Sequence, residues 1–186
     1  MPKLDPSIGI ILLAAGRGRR YGRDKLQEIY RGRPLWTWAA KAADEAGFVK
    51  RYLVRREHSS VGNRAGWQDI INPDADEGMG TSIAAGVDAG QSCSRLVVTL
   101  ADMPLVEPEH LVRLALGSGT VFTRYTNGNS GSPAAFPSSA FCDLRSLSGE
   151  AGARCLSLAG VSAIEPCNNA SLSDVDTEAD LISLSS

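Results

Sequence analysis

Cysteine, histidine and aromatic residues are scarce in this sequence: four Cys, two His and 6% Phe, Tyr and Trp in 186 residues. Cys93, Cys142, Cys155 and Cys167 form no C-x-x-C pair, and His58 and His110 are distant from them in sequence. That argues against a zinc site and a disulfide scaffold, and the thiols are expected to be reduced. No apolar run approaches the roughly 20 residues that cross a bilayer; the strongest near the start, residues 8–15, is far shorter. Arg17, Arg19 and Arg20 follow it where a secretory signal needs small residues, so a cytoplasmic protein with no membrane partner is expected. The basic residues sit in one glycine-rich stretch and at scattered positions without an aromatic platform, which also excludes nucleic acid as an expected partner.

What is present is ordinary in amount and uneven in placement. With 43% hydrophobic and 22% charged residues, the chain has the composition of a globular protein, and its length suits a single domain spanning 1–186. The formal net charge is only −2, yet residues 1–64 carry 14 of the 19 Lys and Arg against 6 acidic residues, while residues 65–186 carry 5 against 15. A basic first third suits phosphate binding and an acidic remainder suits a divalent cation, although a solvated surface would show the same asymmetry.

Residues 9–15, Gly-Ile-Ile-Leu-Leu-Ala-Ala, read as a strand buried on both faces of a parallel sheet. Pro34 and Gly47 bracket an Ala-rich helix. Further strands are expected at 51–54, 69–71, 95–101 and 120–123, with helices at 79–89 and 107–116. A polar loop follows at 127–132, then a short apolar piece at 133–136, helical stretches near 138–147 and 150–159, a strand near 161–165 and a helix from Thr177. The alternation of strand and helix predicts an α/β fold with helices on both faces of the sheet and ligands at the carboxyl ends of its strands.

Five segments are candidates for chemistry. The first, Leu13-Ala14-Ala15-Gly16-Arg17-Gly18-Arg19-Arg20-Tyr21-Gly22-Arg23-Asp24-Lys25, follows the buried strand. Its glycines allow close backbone approach, successive amides can cradle an anion, and Arg20 and Lys25 add positive charge. It matches neither the P-loop nor the G-x-G-x-x-G fingerprint, and a basic surface loop is the plain alternative. Second, the strand before Asp102-Met103-Pro104 ends in a carboxylate at the ligand edge, either a Mg²⁺ ligand or a turn aspartate. Third, Asp176 or Thr177 either caps the last helix or, if close to Asp102, shares a cation with it. Fourth, Gly78-Met79-Gly80-Thr81-Ser82 leads into a helix and either touches a ligand or simply starts that helix. Fifth, Gly131-Ser132-Pro133 closes a polar loop that could cover a site.

In this order the segments resemble the MobA-like nucleotidyltransferase family, and within it the molybdenum cofactor cytidylyltransferase branch. The family opening Leu-Ala-Ala-Gly-x-Ser-x-Arg-Met/Phe-Gly with a following Lys-Leu is similar to Leu13 through Gly22 with Lys25-Leu26. The resemblance implies a Rossmann-like three-layer α/β/α fold with a mostly parallel central sheet. It also implies that Leu13, Ala14, Ala15, Gly16 and Gly18 line the nucleotide, that Arg20 and Lys25 hold its phosphates, and that Gly80 and Ser82 lie near base and ribose. Asp102 and Asp176 would be the Mg²⁺ ligands, and Arg20, Lys25 and Asp102 the catalytic residues. Ala14-Ala15-Gly16, where the guanylyltransferase branch carries Ala-Gly-Gly, implies CTP. The implied acceptor is molybdopterin, and a molybdoenzyme would receive the product. Gly18 stands where serine is frequent, Tyr21 where Met or Phe is, and Ser132 where cytidylyltransferases commonly have histidine in Gly-His-Pro. Transfer from GTP or to another phosphate acceptor, a nicotinamide-dependent oxidoreductase and a non-catalytic cofactor carrier are the other readings.

Overall fold

The computed structural model of the chain describes residues 2–16 and 24–185. A seven-stranded sheet forms its centre, built from β1 (Ile8–Leu13), β4 (Lys50–Arg55), β5 (Gln68–Ile71), β6 (Arg95–Leu100), β7 (Thr120–Arg124), β8 (Ser130–Pro137) and β9 (Val161–Ile164). Their spatial order is β5-β4-β1-β6-β8-β7-β9. All neighbours are parallel except β8, which runs antiparallel to both β6 and β7. The mostly parallel Rossmann-like α/β/α architecture is therefore present.

The apolar run in β1 suits its interior position between β4 and β6. Ile10 and Leu12 face one layer and Ile11 and Leu13 the other, so a period of two buries every side chain on one face or the other. On the first face pack α1 (Trp36–Glu45) and α3 (Pro108–Leu116). On the second face α2 (Met79–Ala89) packs against α4 (Phe141–Arg145) through residues including Ile83, Val87 and Leu144. Among the described residues no helix is long and apolar enough to cross a membrane.

The structure departs from the sequence reading in three places. Pro34 does not open the first helix: it ends a small hairpin of β2 (Ile29–Tyr30) and β3 (Arg33–Pro34), and the helix starts two residues later. Arg31 and Gly32 have φ of 46 and 80, the positive pair that a two-residue hairpin turn needs. The polar loop read at 127–132 enters β8 at Ser130, so strand and loop share its glycine- and serine-rich end. Residues 150–159 are not helical; they hold only a 3-10 turn, Ala153–Cys155. The chain entering them is held against the start of α2: the Gly149 carbonyl accepts from the Gly80 amide at 2.9 Å, Gly149 takes φ of +59, and the Ala151 carbonyl packs on Gly80. The last helix, α5 (Glu178–Ser185), follows Thr177 as expected.

Candidate active site

Strands β1 and β6 are parallel neighbours, so Leu13 and Leu100 end side by side and the chain beyond each leaves the sheet at the same edge. Lys25 enters that edge from a 3-10 turn, Lys25–Gln27, whose start is capped by the Asp24 carboxylate accepting from the Leu26 amide. Asp102 follows β6 directly. The 174–176 segment returns to it through one main-chain bond, Val175 N–H to the Asp102 carbonyl at 3.0 Å. Val175 itself is fully buried with Tyr30 and Leu35. Thr177 and Asp180 form a reciprocal cap: Asp180 Oδ2 accepts from the Thr177 amide at 2.7 Å, and the Asp180 amide donates to Thr177 Oγ1. Capping thus falls to Thr177 and Asp180, and Asp176 turns toward Lys25.

Lys25 Nζ donates to Asp102 Oδ2 at 2.7 Å and to Asp176 Oδ1 at 3.0 Å. The two carboxylates, 74 positions apart in sequence, therefore lie within the span of one cation. The lysine side chain is only 10% exposed. Burial disfavours its charge, but Asp102 and Asp176 outweigh burial and raise its pKa above the ordinary 10.5. Asp174 has the opposite surroundings: burial, then the negative charges of Asp102 and Asp176, push its carboxyl above the usual range.

Asp102 Oδ1 is buried and lacks a hydrogen-bond partner among the described residues. A buried carboxylate oxygen with a spare lone pair, beside a second carboxylate, is the hard-oxygen donor set that suits Mg²⁺. The oxygen donors of Asp102 and Asp176 are of the chemistry such an ion takes. Among the described residues no group of three or more His, Cys, Asp or Glu side chains converges to hold a metal.

A cavity of about 220 Å³ opens beside this ion pair, lined in part by Leu13, Ala15, Gly16, Lys25, Ser82 and Asp102. Six of the expected residues thus share one wall. Ala14 does not: its amide is spent on the Val54 carbonyl at 2.8 Å and its side chain lies in the core. Gly80 does not line it either. A Cβ there would stand 2.7 Å from the Ser148 carbonyl oxygen and 2.9 Å from that of Ala151, so this glycine lets the 148–151 backbone press on the start of α2. Ser82 is buried, and its hydroxyl accepts from Asn72 Nδ2 at 3.0 Å. Gly18 and Arg20 lie outside the described residues.

Arg56 is a lining residue that the motifs did not reveal. Its Nε donates to the Ala15 carbonyl at 2.8 Å, and its Nη1 donates to Asp76 Oδ1 at 2.8 Å. The signal for it was positional, since β4 neighbours β1 in parallel and a cation just past its end must emerge at the same edge. Met79, Leu100 and Glu150 line the cavity as well and also border a second, larger one of about 760 Å³. The second cavity runs along Phe122, Tyr125, Gly131, Ser132 and Arg154. The two cavities thus adjoin, and the charged residues lining the first are Lys25, Arg56, Asp76, Asp102 and Glu150.

Comparison with known proteins identifies the family and the fold. The family model described as the MobA-like NTP transferase domain matches residues 10–163. Over 185 aligned positions the chain is 29% identical to the purine catabolism protein PucB of Bacillus subtilis (strain 168), covering 90% of each. It is 33% identical over 104 residues to the nicotine blue oxidoreductase of Paenarthrobacter nicotinovorans, which is 53% of this chain and 51% of that one. The crystal structure of Rv0371c from Mycobacterium tuberculosis H37Rv superposes with a TM-score of 0.81 at 26% identity, covering 100% of this chain and 99% of that chain. The manganese complex of Rv0371c superposes with a TM-score of 0.73 at 25% identity, over 96% and 97% of the two chains. A matched segment running from β1 through β9, on a Rossmann-like sheet with a basic and an acidic residue at its carboxyl edge, makes this chain a member of the MobA-like family of nucleotidyltransferases.

Proposed function

We propose that this nucleotidyltransferase moves CMP from CTP to the terminal phosphate of a molybdopterin-type acceptor. The observation that carries the reading is the Lys25 ammonium held between Asp102 and Asp176 at the wall of the smaller cavity. An oxygen of the acceptor phosphate attacks the α-phosphorus of CTP, the bond from that phosphorus to the bridging oxygen of the β-phosphate breaks, and pyrophosphate leaves with the electron pair. The attacking phosphate is already ionised, so the protein's task is alignment and charge neutralisation.

Lys25 keeps its charge at neutral pH because its two carboxylates outweigh burial. With Arg20 it would stabilise charge on the departing pyrophosphate. The backbone at Ala15 and Gly16 borders the cavity where the nucleotide would lie, and Arg56 fixes that backbone through the Ala15 carbonyl. Asp102 and Asp176 would hold Mg²⁺, which supplies neutralisation of phosphate charge when bound. The larger cavity adjoining at Glu150 has room for the acceptor, and a molybdoenzyme would take the product. Ala15 in place of the first glycine of the guanylyltransferase pattern supports CTP over GTP.

A second reading, hydride transfer from a nicotinamide cofactor, draws support from the match to nicotine blue oxidoreductase over half of that protein. The glycine spacing, which departs from G-x-G-x-x-G, weighs against it. Incubation with each of CTP, GTP, UTP and ATP, Mg²⁺ and molybdopterin, read by pyrophosphate release and product mass, separates the cases. Cytidylylated product is expected. Guanylylated product alone, or NAD(P)H oxidation by the purified protein without pyrophosphate release, overturns the proposal.

A further inference from the structure

The β7–β8 ladder breaks at one place. Phe122 pairs with Ala134, but the next residue, Thr123, pairs with Gly131, so Ser132 and Pro133 have no partner on β7. The β6–β8 ladder also stops at Ala134. Two carbonyls in the bulge therefore lose their sheet partners, and side chains replace them. Thr123 Oγ1 donates to the Pro133 carbonyl at 2.5 Å, and the Tyr125 hydroxyl donates to that of Ser132. Gly131 is needed for this arrangement, because a Cβ there would stand 2.9 Å from the Tyr125 ring.

Behind Thr123 stands His110 of α3, only 1% exposed. Its Nε2 lies 2.7 Å from Thr123 Oγ1. The single hydroxyl proton of Thr123 is already given to Pro133, so Nε2 carries the proton in this bond and donates to Thr123. His110, Thr123 and the Pro133 carbonyl thus form a directed chain of hydrogen bonds. It ends on the bulge whose Ser132 borders the 760 Å³ cavity, while neither His110 nor Thr123 borders that cavity.

We propose that Thr123 is a positioning residue for the acceptor: backed by His110, its hydroxyl fixes the Ser132-Pro133 bulge and thereby sets the wall that the second substrate meets. This rests on reading the larger cavity as the acceptor site.

The test compares Thr123→Val, which keeps the shape and removes the hydroxyl, with Thr123→Ser, which keeps the hydroxyl; Tyr125→Phe is a second probe of the same bulge if the valine variant fails to fold. Expected for Thr123→Val is a rise of about tenfold in acceptor KM, the size of the one bond that the Pro133 carbonyl of the wall loses, with kcat and CTP affinity near wild type. Thr123→Ser should restore the acceptor KM. Amide hydrogen exchange at Gly131 and Ser132 should speed up in the valine variant and not in the serine one, with β6 unchanged. Unchanged exchange at the bulge, or a serine variant that behaves like valine, overturns the proposal. Wild-type protein inert toward molybdopterin removes the acceptor reading instead, and the exchange measurement still decides whether Thr123 holds the wall.

Discussion

The amide of Val175 donates to the carbonyl of Asp102 at 3.0 Å, so the residue after Val175 and the side chain of Asp102 are carried into the same few ångströms. Val175 is sealed beneath Tyr30 and Leu35, which turns a main-chain contact into a fixed anchor for Asp176. Trimming the anchor to alanine should cost roughly 1–3 kcal/mol of stability and lower turnover beyond that loss, because Asp176 is no longer held against Lys25. Urea denaturation paired with pyrophosphate release measures both; full turnover in Val175→Ala would show that the anchor does not position the carboxylate.

Asp102→Asn keeps the side-chain shape and removes the charge. The variant should fold and lose a hundredfold or more in turnover, corresponding to about 3–4 kcal/mol of barrier. Wild-type rates with an unchanged Mg²⁺ requirement would exclude Asp102 as a metal ligand.

Lys25 occupies the position between the carboxylates that a divalent cation would compete for. In Lys25→Met the pair loses this ammonium from between its two carboxylates, so Mn²⁺ should bind the nucleotide-free variant about tenfold or more tightly than wild type, while turnover falls. Electron paramagnetic resonance of free Mn²⁺ reports the binding directly. Equal affinity in both proteins would mean that ammonium and metal do not share the site.

His110 has its pKa pushed down to about 4, first by burial and then by the Arg113 cation, from an ordinary 6.5. Between those values the unfolded chain takes up a proton that the native state refuses. The stability held in neutral His110 is complete above about pH 6.5 and is lost as pH falls toward 4, on the order of 3 kcal/mol in all. Replacing His110 by Gln, which retains an N–H donor for Thr123 but does not titrate, should flatten that part of the pH dependence. Denaturation at pH 7 and pH 4.5 for both proteins makes the comparison, and identical slopes would contradict a neutral buried imidazole.

Gly80→Ala drives a Cβ into the carbonyls of Ser148 and Ala151, which belong to backbone and cannot rotate away. The segment carrying Glu150 must shift, so the variant should lose roughly 1–3 kcal/mol and bind both substrates less tightly. Calorimetry with CTP tests the binding half; unaltered affinity would show that this contact does not shape the cavities.

The sheet was legible because period-two burial in β1 and the repeated strand-helix order leave few alternatives. The ends of its elements were less so. Pro34 reads as a helix opener when only the Ala-rich run after it is considered, whereas the Arg31-Gly32 turn that captures it is a weak hairpin signal. Residues 150–159 contain Leu, Ala and Arg that favour helix, but the chain enters them from Gly149, whose carbonyl is tied to the Gly80 amide of a distant element. In the site, Lys25, Asp102 and Ser82 stand in recognisable patterns. Arg56 does not, since its position follows from strand order, which only the folded sheet supplies. Ala14 and Gly80 sit in the patterns for reasons of packing, and sequence alone cannot separate a glycine that meets a ligand from one that meets a neighbouring loop.

The sheet is complete once β9 is laid beside β7, yet the carboxylate pair does not exist until Asp176 has been threaded back across the strand ends. Framework and carboxylate pair are therefore separable: the sheet can be assembled while Asp102 and Asp176 are still apart. On the proposed mechanism, docking of the Val175-Asp176 segment would be what turns a finished scaffold into a working enzyme.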